Sequence, residues 1–142
     1  MAAKSAPKAA SVKVGDALPL FTSAPITRTT LALYAGASGD HNPMHIDIDF
    51  AKRAGESDVF AHGMLNMAYL SRALLGYVPQ SAIRSFGVRF ASIVRVGEKV
   101  TCTGHVIETF EAAGEKRAKL DLTATTSSGV VALKGEAVVA LA

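Results

Sequence analysis

The residues best suited to chemistry lie together in the stretch Ser38–His45, which reads SGDHNPMH. Asp40 and His45 are both candidate proton carriers, and histidine has a reference pKa of about 6.5, close to working pH. Gly39 and Pro43 prevent a regular helix or strand, so the chain can bend and aim both side chains at one small volume. Two proton carriers facing one water molecule suit addition or elimination across a polarised double bond.

The same stretch also has a purely structural interpretation. Asp40 and Asn42 are of the residue types that form Asx turns, and His45 could lie on the surface of an ordinary polar loop. Taken alone, the spacing favours this structural interpretation.

A second candidate site is the stretch FAHGML, residues Phe60–Leu65. Gly63 falls at the start of a predicted apolar helix, where backbone N–H groups have no partner within the helix. The partial positive charge of the helix start, and the absence of a side chain, would suit a carbonyl oxygen that becomes negative. The alternative is that Gly63 only begins the helix and that His62 packs beside it.

Ser71 is a third candidate, because it lies in the middle of the apolar stripe of this helix. A buried hydroxyl needs a hydrogen-bond partner. It could donate back to the carbonyl of Met67, one helical turn earlier, or it could contact a ligand or a loop.

Other kinds of site are not indicated. The remaining histidines and Cys102 lack the paired spacing of a zinc site, so we expect no metal. There is no glycine-rich phosphate loop and no GxSxG elbow, so we expect neither a bound cofactor nor an obvious covalent nucleophile.

Helical spacing predicts two short helices and a long one. Thr27 can cap a helix over Arg28–Ala37 that delivers the chain into SGDHNPMH, and Asp47 can cap Ile48–Ala54. The long helix, His62–Val78, is apolar around most of its circumference, so we expect it to be enclosed at the centre of the fold. The predicted apolar stripe consists of Met64, Met67, Ala68, Ser71, Leu74, Leu75 and Val78, with a narrow polar face around Asn66 and Arg72.

After Pro79 the apolar residues alternate with period two, which predicts four strands. Turn residues at Gly97, Gly114 and Gly129 separate them, and short connections indicate an antiparallel meander. With an additional N-terminal strand, this predicts an α+β fold in which a curved antiparallel sheet wraps the long helix. The uncovered sheet face and edge lead us to expect a dimer.

The length and composition indicate a single globular domain. The 142 residues are 49% hydrophobic and 19% charged, and we expect a mobile tail over residues 1–11 followed by a single domain over 12–142. The net charge of +3 equals the number of lysines near the N-terminus, which argues against a nucleic-acid surface. No apolar run is long enough to span a membrane, and the single cysteine favours a reducing cytoplasm.

The stretch YAGASGDHNPMHID, Tyr34–Asp47, followed by FAHGML resembles the MaoC-like hydratase/dehydratase family. That family includes (R)-specific enoyl-CoA hydratases and β-hydroxyacyl-ACP dehydratase subunits. The resemblance implies the hot-dog fold, usually paired into dimers, and hydration of trans-2-enoyl thioesters or dehydration of (3R)-hydroxyacyl thioesters. It also implies CoA or acyl carrier protein as the substrate carrier.

Matched residue by residue, the resemblance gives each candidate a role. Asp40 and His45 correspond to the pair that binds the reacting water, and Asn42 to the asparagine that orders the loop. Gly63 corresponds to the residue whose backbone N–H polarises the thioester carbonyl, and Ser71 to a helix serine near the active site. Two alternatives remain, a hot-dog acyl thioesterase and one subunit of a heterodimeric hydroxyacyl-ACP dehydratase.

Overall fold

A computed structural model describes residues 5–142, in which an antiparallel sheet packs against one long helix. This confirms the predicted α+β, hot-dog arrangement. The helices are α1 (Arg28–Ser38), α2 (Ile48–Arg53) and α3 (Gly63–Tyr77). The strands are β1 (Phe21–Thr22), β2 (Ile83–Phe90), β3 (Val100–Ala112), β4 (Glu115–Thr126) and β5 (Val131–Ala140). Among residues 5–142, no helix has both the length and the hydropathy needed to cross a bilayer.

The sheet order is β1-β3-β4-β5-β2, with every pairing antiparallel. The predicted meander is therefore confirmed for β3, β4 and β5 but is wrong for β2, which pairs with β5 at the far edge. The reason lies in residues 91–99, which leave the sheet instead of forming a hairpin. Val94 accepts a hydrogen bond from the Ala61 N–H at 2.9 Å, just before α3. This long-range pairing separates β2 from β3.

Local signals place the turns and caps where the sequence predicts them. Ala113 and Gly114 both have positive φ, 52° and 72°, which is the backbone of a two-residue hairpin between β3 and β4. The side chain of Thr27 accepts a hydrogen bond from the Thr30 N–H at the start of α1. The side chain of Asp47 accepts from two backbone N–H groups at the start of α2.

The core lies between α3 and the inward face of the sheet. The predicted alternation is confirmed on β4, where Ala118, Leu120, Leu122 and Ala124 are all buried. On α3, however, the predicted stripe is wrong. Met64 is 54% exposed, whereas Asn66, assigned to the polar face, is only 3% exposed. A helix that is apolar on nearly every side has no clear phase in its sequence, so packing decides which residues face inward.

The N-terminal segment, for which a mobile tail over residues 1–11 is expected, is described from residue 5 onward. The expectation of a mobile tail stays a prediction. Residues 1–4 lie outside the described part of the chain. Ala9–Ser11 forms a single 3₁₀ turn, and the Ala9 N–H donates to the carbonyl of Ala142 at 2.7 Å. The Ala142 N–H in turn donates to the Pro7 carbonyl at 3.0 Å. Two backbone hydrogen bonds thus join this segment to Ala142.

Candidate active site

The loop SGDHNPMH follows α1 directly and is shaped by its own side chains. Gly39 ends α1 in the left-handed conformation, with φ of 75°. The Asp40 carboxylate accepts a hydrogen bond from the Asn42 N–H at 3.2 Å, and the Asn42 side-chain oxygen accepts from the Met44 N–H at 3.1 Å. The predicted Asx turns are therefore present. They fix the backbone and leave the second Asp40 oxygen without a partner in residues 5–142.

His45 points inward from this loop and is only 8% exposed. Its Nδ1 lies 2.7 Å from the carbonyl oxygen of Phe60. A carbonyl oxygen can only accept, so Nδ1 carries the proton and donates. In the neutral ring, Nε2 therefore carries the lone pair and can accept a proton. The edge-on contact with the Phe60 ring, at 5.2 Å between centroids, holds the imidazole in this orientation.

His62, the residue before Gly63, is the group at this site that sequence reasoning left without a role. It is fully buried, and its Nε2–H donates to the backbone oxygen of Asp40 at 3.2 Å. Its ring lies 4.0 Å from that of His45 and 4.9 Å from that of Tyr34. The hydrogen bond links the start of α3 to the loop across 22 residues of sequence. Only its position beside Gly63 hinted at this role.

Burial dominates the electrostatics around His62. It lowers the pKa of His62, and the positive charge that His45 can carry lowers it further, whereas Asp40 opposes both effects. Burial also raises the pKa of Tyr34, and the Asp40 carboxylate raises it further. His62 and Tyr34 therefore both favour their neutral forms.

The structure brings Asp40, His45 and His62 together, with one ligand-type atom of each within 4.8 Å of the others. These three residues could in principle hold a metal ion. Each imidazole uses one nitrogen on a backbone carbonyl and keeps the other nitrogen for a further partner, which suits a metal ion as well as a water molecule. The expectation of no metal stays a prediction.

Gly63 is the first residue of α3, as predicted, and its N–H belongs to the first turn, which lacks acceptors within the helix. It lines a cavity of about 290 Å³ together with Phe60, Asn66, Phe90 and Ile93. A Cβ atom at position 63 would lie 3.0 Å from Cε1 of Phe90. Only glycine therefore leaves this wall of the cavity undisturbed.

Ser71 is placed differently from the other predicted residues. Its hydroxyl donates to the carbonyl of Ala68 at 2.7 Å, three residues earlier, rather than to that of Met67. It is not among the residues that line the cavity beside Gly63. The back-bonding alternative thus describes its contact, with a different acceptor, and a role for Ser71 in supporting substrate stays a prediction.

Two other features lie away from this site. A larger concavity of about 690 Å³ runs over strands β2, β5 and β4, and none of the predicted site residues lines it. Cys102 is fully buried on β3, and burial raises the pKa of its thiol to about 12. A thiol that stays protonated is a poor nucleophile, which agrees with the expected absence of covalent chemistry.

Comparison with known proteins identifies the family. Residues 11–128 match the family model described as MaoC like domain. The chain belongs to the MaoC-like domain family. The resemblance stated from SGDHNPMH and FAHGML is thereby confirmed.

Relatives within the MaoC-like family carry hydratase and dehydratase names. The chain is 33% identical over 123 residues to an (R)-specific enoyl-CoA hydratase of Rhodospirillum rubrum, covering 80% of this chain and 78% of that protein. It is 33% identical over 92 residues to a mitochondrial 3-hydroxyacyl-[acyl-carrier-protein] dehydratase of Arabidopsis thaliana, covering 63% of this chain and 52% of that protein. Both are hydro-lyases, so the predicted enzyme class is confirmed at the level of the family.

The solved structure of the Aeromonas caviae (R)-hydratase involved in PHA biosynthesis superposes with a TM-score of 0.79. The two sequences are 28% identical, and the match covers 93% of this chain and 98% of that one. This MaoC-like chain therefore has the fold of an (R)-hydratase over nearly its whole length.

Proposed function

We propose that this MaoC-like protein adds water to trans-2-enoyl thioesters to give (3R)-hydroxyacyl thioesters, and catalyses the reverse dehydration. The observation that carries the proposal is the grouping of the Asp40 carboxylate and the His45 imidazole beside the first turn of α3. One water molecule between the two side chains would have access both to proton carriers and to a substrate in the neighbouring cavity.

The proposed reaction uses two parts of the site, the backbone N–H of Gly63 and the side chains of Asp40 and His45. The N–H of Gly63 hydrogen-bonds the thioester oxygen, which gains negative charge as the water oxygen bonds to the β-carbon. The lone pair on Nε2 of His45 suits this ring to take the proton that the water loses. A proton then passes to the α-carbon from His45 or Asp40. Asn42 holds the loop in shape, and the reaction needs no cofactor.

Whether hydration or dehydration is observed depends on the substrate supplied. The group that carries the acyl chain is proposed from the names of the relatives. The hydratase relative carries CoA in its name and the dehydratase relative carries acyl carrier protein. We propose that CoA thioesters are accepted, because coverage of both chains is greater for the hydratase. The lone, buried Cys102 supports a reducing cytoplasm as the compartment.

The test is the hydration of crotonyl-CoA by the purified protein, followed as loss of enoyl-thioester absorbance. Replacing the carboxylate in Asp40→Asn should lower kcat by about 10²–10⁴-fold, the usual contribution of general acid–base catalysis. Turnover near the wild-type rate in Asp40→Asn would refute the assignment. Release of free thiol in place of hydration would instead indicate the thioesterase alternative.

We further propose that the protein works as a dimer of identical subunits. Several large apolar side chains are at least half exposed in the single chain, and a partner subunit would remove them from water. They are Val14, Leu20, Leu33, Ile46, Met64 and Phe90. Light scattering of the protein expressed alone should give twice the mass of the chain. A monomer without activity would favour the heterodimeric alternative.

A further inference from the structure

Asn66 is the buried polar side chain that the mechanism above does not use. It is 3% exposed, and its Oδ1 is fully enclosed without a hydrogen-bond partner in residues 5–142. Burying an unpaired amide oxygen destabilises the folded protein, because the oxygen gives up its hydrogen bonds to water. Leucine, which has the same branched shape, would avoid that cost in a helix that is otherwise apolar at its buried positions. A polar group kept at such a cost is a candidate for function.

The position of Asn66 relates it to Gly63. It lies three residues after Gly63 on α3, so the two share one face of the helix. Helical side chains lean toward the N-terminus, which places the Asn66 amide over the first turn. Both residues line the cavity of about 290 Å³ whose other walls include Phe60 and Phe90.

The two ends of the Asn66 amide, Oδ1 and NH₂, have different surroundings. Because Oδ1 is enclosed, the NH₂ group is the end that reaches the cavity surface, and it makes no hydrogen bond to the described residues. The group presented to a ligand is therefore a donor. A donor beside the first-turn N–H of Gly63, in a cavity whose walls include Phe60 and Phe90, suits a single oxygen that gains negative charge.

We propose that the side-chain NH₂ of Asn66 is a second donor to the thioester carbonyl oxygen, acting together with the backbone N–H of Gly63. This inference rests on the proposed function, since it assigns a contact within the same reaction. It makes Asn66 a catalytic residue whose contribution grows as the oxygen becomes an enolate oxygen.

The first arm of the test is kinetic, with crotonyl-CoA as substrate. Asn66→Leu should lower kcat by about 10²–10³-fold, the usual cost of losing one oxyanion donor, with KM changed by less than about threefold. The same variant should have a higher melting temperature, because the unpaired amide is gone. Met67→Leu, a volume-conserving change at the next position of α3, is the matched control and should leave both kcat and KM unchanged. An Asn66→Leu enzyme with wild-type kcat would overturn the proposal.

The second arm does not depend on turnover. Crotonyl-CoA labelled with ¹³C at the thioester carbon is bound to Asp40→Asn and to Asp40→Asn/Asn66→Leu, and the carbonyl stretch is read by infrared difference spectroscopy. A donor on the oxygen lowers the stretching frequency, so removing Asn66 should raise it. Identical frequencies in the two proteins would overturn the proposal.

The two arms separate the two claims. If the wild type hydrates crotonyl-CoA but the carbonyl frequency is the same with and without Asn66, the proposed function stands and the role of Asn66 fails. If the wild type does not hydrate crotonyl-CoA but the frequency rises in the Asn66→Leu protein, the proposed function fails and the contact to the carbonyl stands. Failure of the wild type to bind crotonyl-CoA at all would overturn both.

Discussion

The loop Gly39–His45 and the start of α3 lie on two sides of the candidate site. Their polar side chains differ in burial and in whether they have hydrogen-bond partners. In the loop, the Asp40 and Asn42 side chains each pair with a nearby backbone N–H, and both residues are exposed. At the start of α3, Nδ1 of His62 and Oδ1 of Asn66 are both enclosed and have no hydrogen-bond partner among residues 5–142. The loop is stabilised by its own contacts, whereas the helix start retains polar groups at the expense of stability.

The difference separates two kinds of functional residue. A loop held by local turns can position proton carriers in contact with solvent, from which water and protons arrive. A buried helix start can present hydrogen-bond donors in a region of low dielectric constant, where each acts more strongly on developing charge. We therefore expect changes in the helix start to alter activity while leaving stability unchanged or higher.

Gly63→Ala should produce the largest effect among the helix-start variants that keep every polar group. The added methyl would lie 3.0 Å from Cε1 of Phe90 and would enter the cavity where the thioester oxygen is proposed to bind. We expect kcat/KM for crotonyl-CoA to fall about 10²-fold, since small displacements of a bound substrate are that costly. The Phe90 ring must shift to admit the methyl, and because this ring is 52% exposed, the free energy of unfolding should change by less than about 1 kcal/mol.

The matched control for that change is Gly76→Ala in the same helix. There the added methyl would make an ordinary contact of 3.6 Å with Cβ of Pro19, far from the cavity. Gly76→Ala should leave the kinetics unchanged. Equal kinetic loss in Gly63→Ala and Gly76→Ala would mean that the whole helix, rather than its start, governs activity.

His62 offers a smaller effect that tests the link between the two regions. His62→Leu removes the hydrogen bond to the Asp40 carbonyl and should lower kcat about tenfold to a hundredfold, as is usual for groups that orient catalytic residues. His62→Gln places a neutral amide donor near the position of Nε2 and should restore most of that loss. If His62→Gln is as slow as His62→Leu, the hydrogen bond to the loop is not what matters.

The pH dependence of stability gives His62 an independent signature. Its pKa is lowered in the folded protein, chiefly by burial, so below about pH 6.5 the unfolded chain takes up a proton that the folded protein resists. The free energy of unfolding should therefore fall as the pH drops from about 6.5 toward the lowered pKa, and should be unaffected by this group above 6.5. Urea unfolding of the wild type and His62→Gln at several pH values should show the smaller acid loss in His62→Gln.

Features that depend on a few neighbouring residues could be predicted from the sequence. The grouping of Asp40 with His45 and the place of Gly63 at the start of α3 could be predicted because residue types and spacing there are local, and so could the caps at Thr27 and Asp47. The roles of Asp40, His45 and Gly63 stay predictions. Each of these features depends on a few neighbouring residues, and those residue types adopt only a small number of local conformations.

The remaining features depend on contacts between distant segments. The partner of β2 follows from the pairing of residues near Val94 with those before α3, which no local pattern reveals. Asn66 was assigned to a polar face because an apolar helix has no clear phase. His62 had no predicted role because its acceptor is a backbone carbonyl on another segment.

Ser71→Ala should have the smallest effect on activity and stability. This variant tests how far along α3 the residues that affect activity extend. Ser71 lies two turns beyond Gly63, and its hydroxyl is already used on the carbonyl of Ala68. Losing this partly exposed hydrogen bond should change the free energy of unfolding by no more than about 0.5 kcal/mol. We expect kcat and KM for crotonyl-CoA within about twofold of the wild type. A clear rise in KM that grows with acyl chain length would instead extend the substrate contacts along α3, and would restore to Ser71 the supporting role that the family resemblance implies.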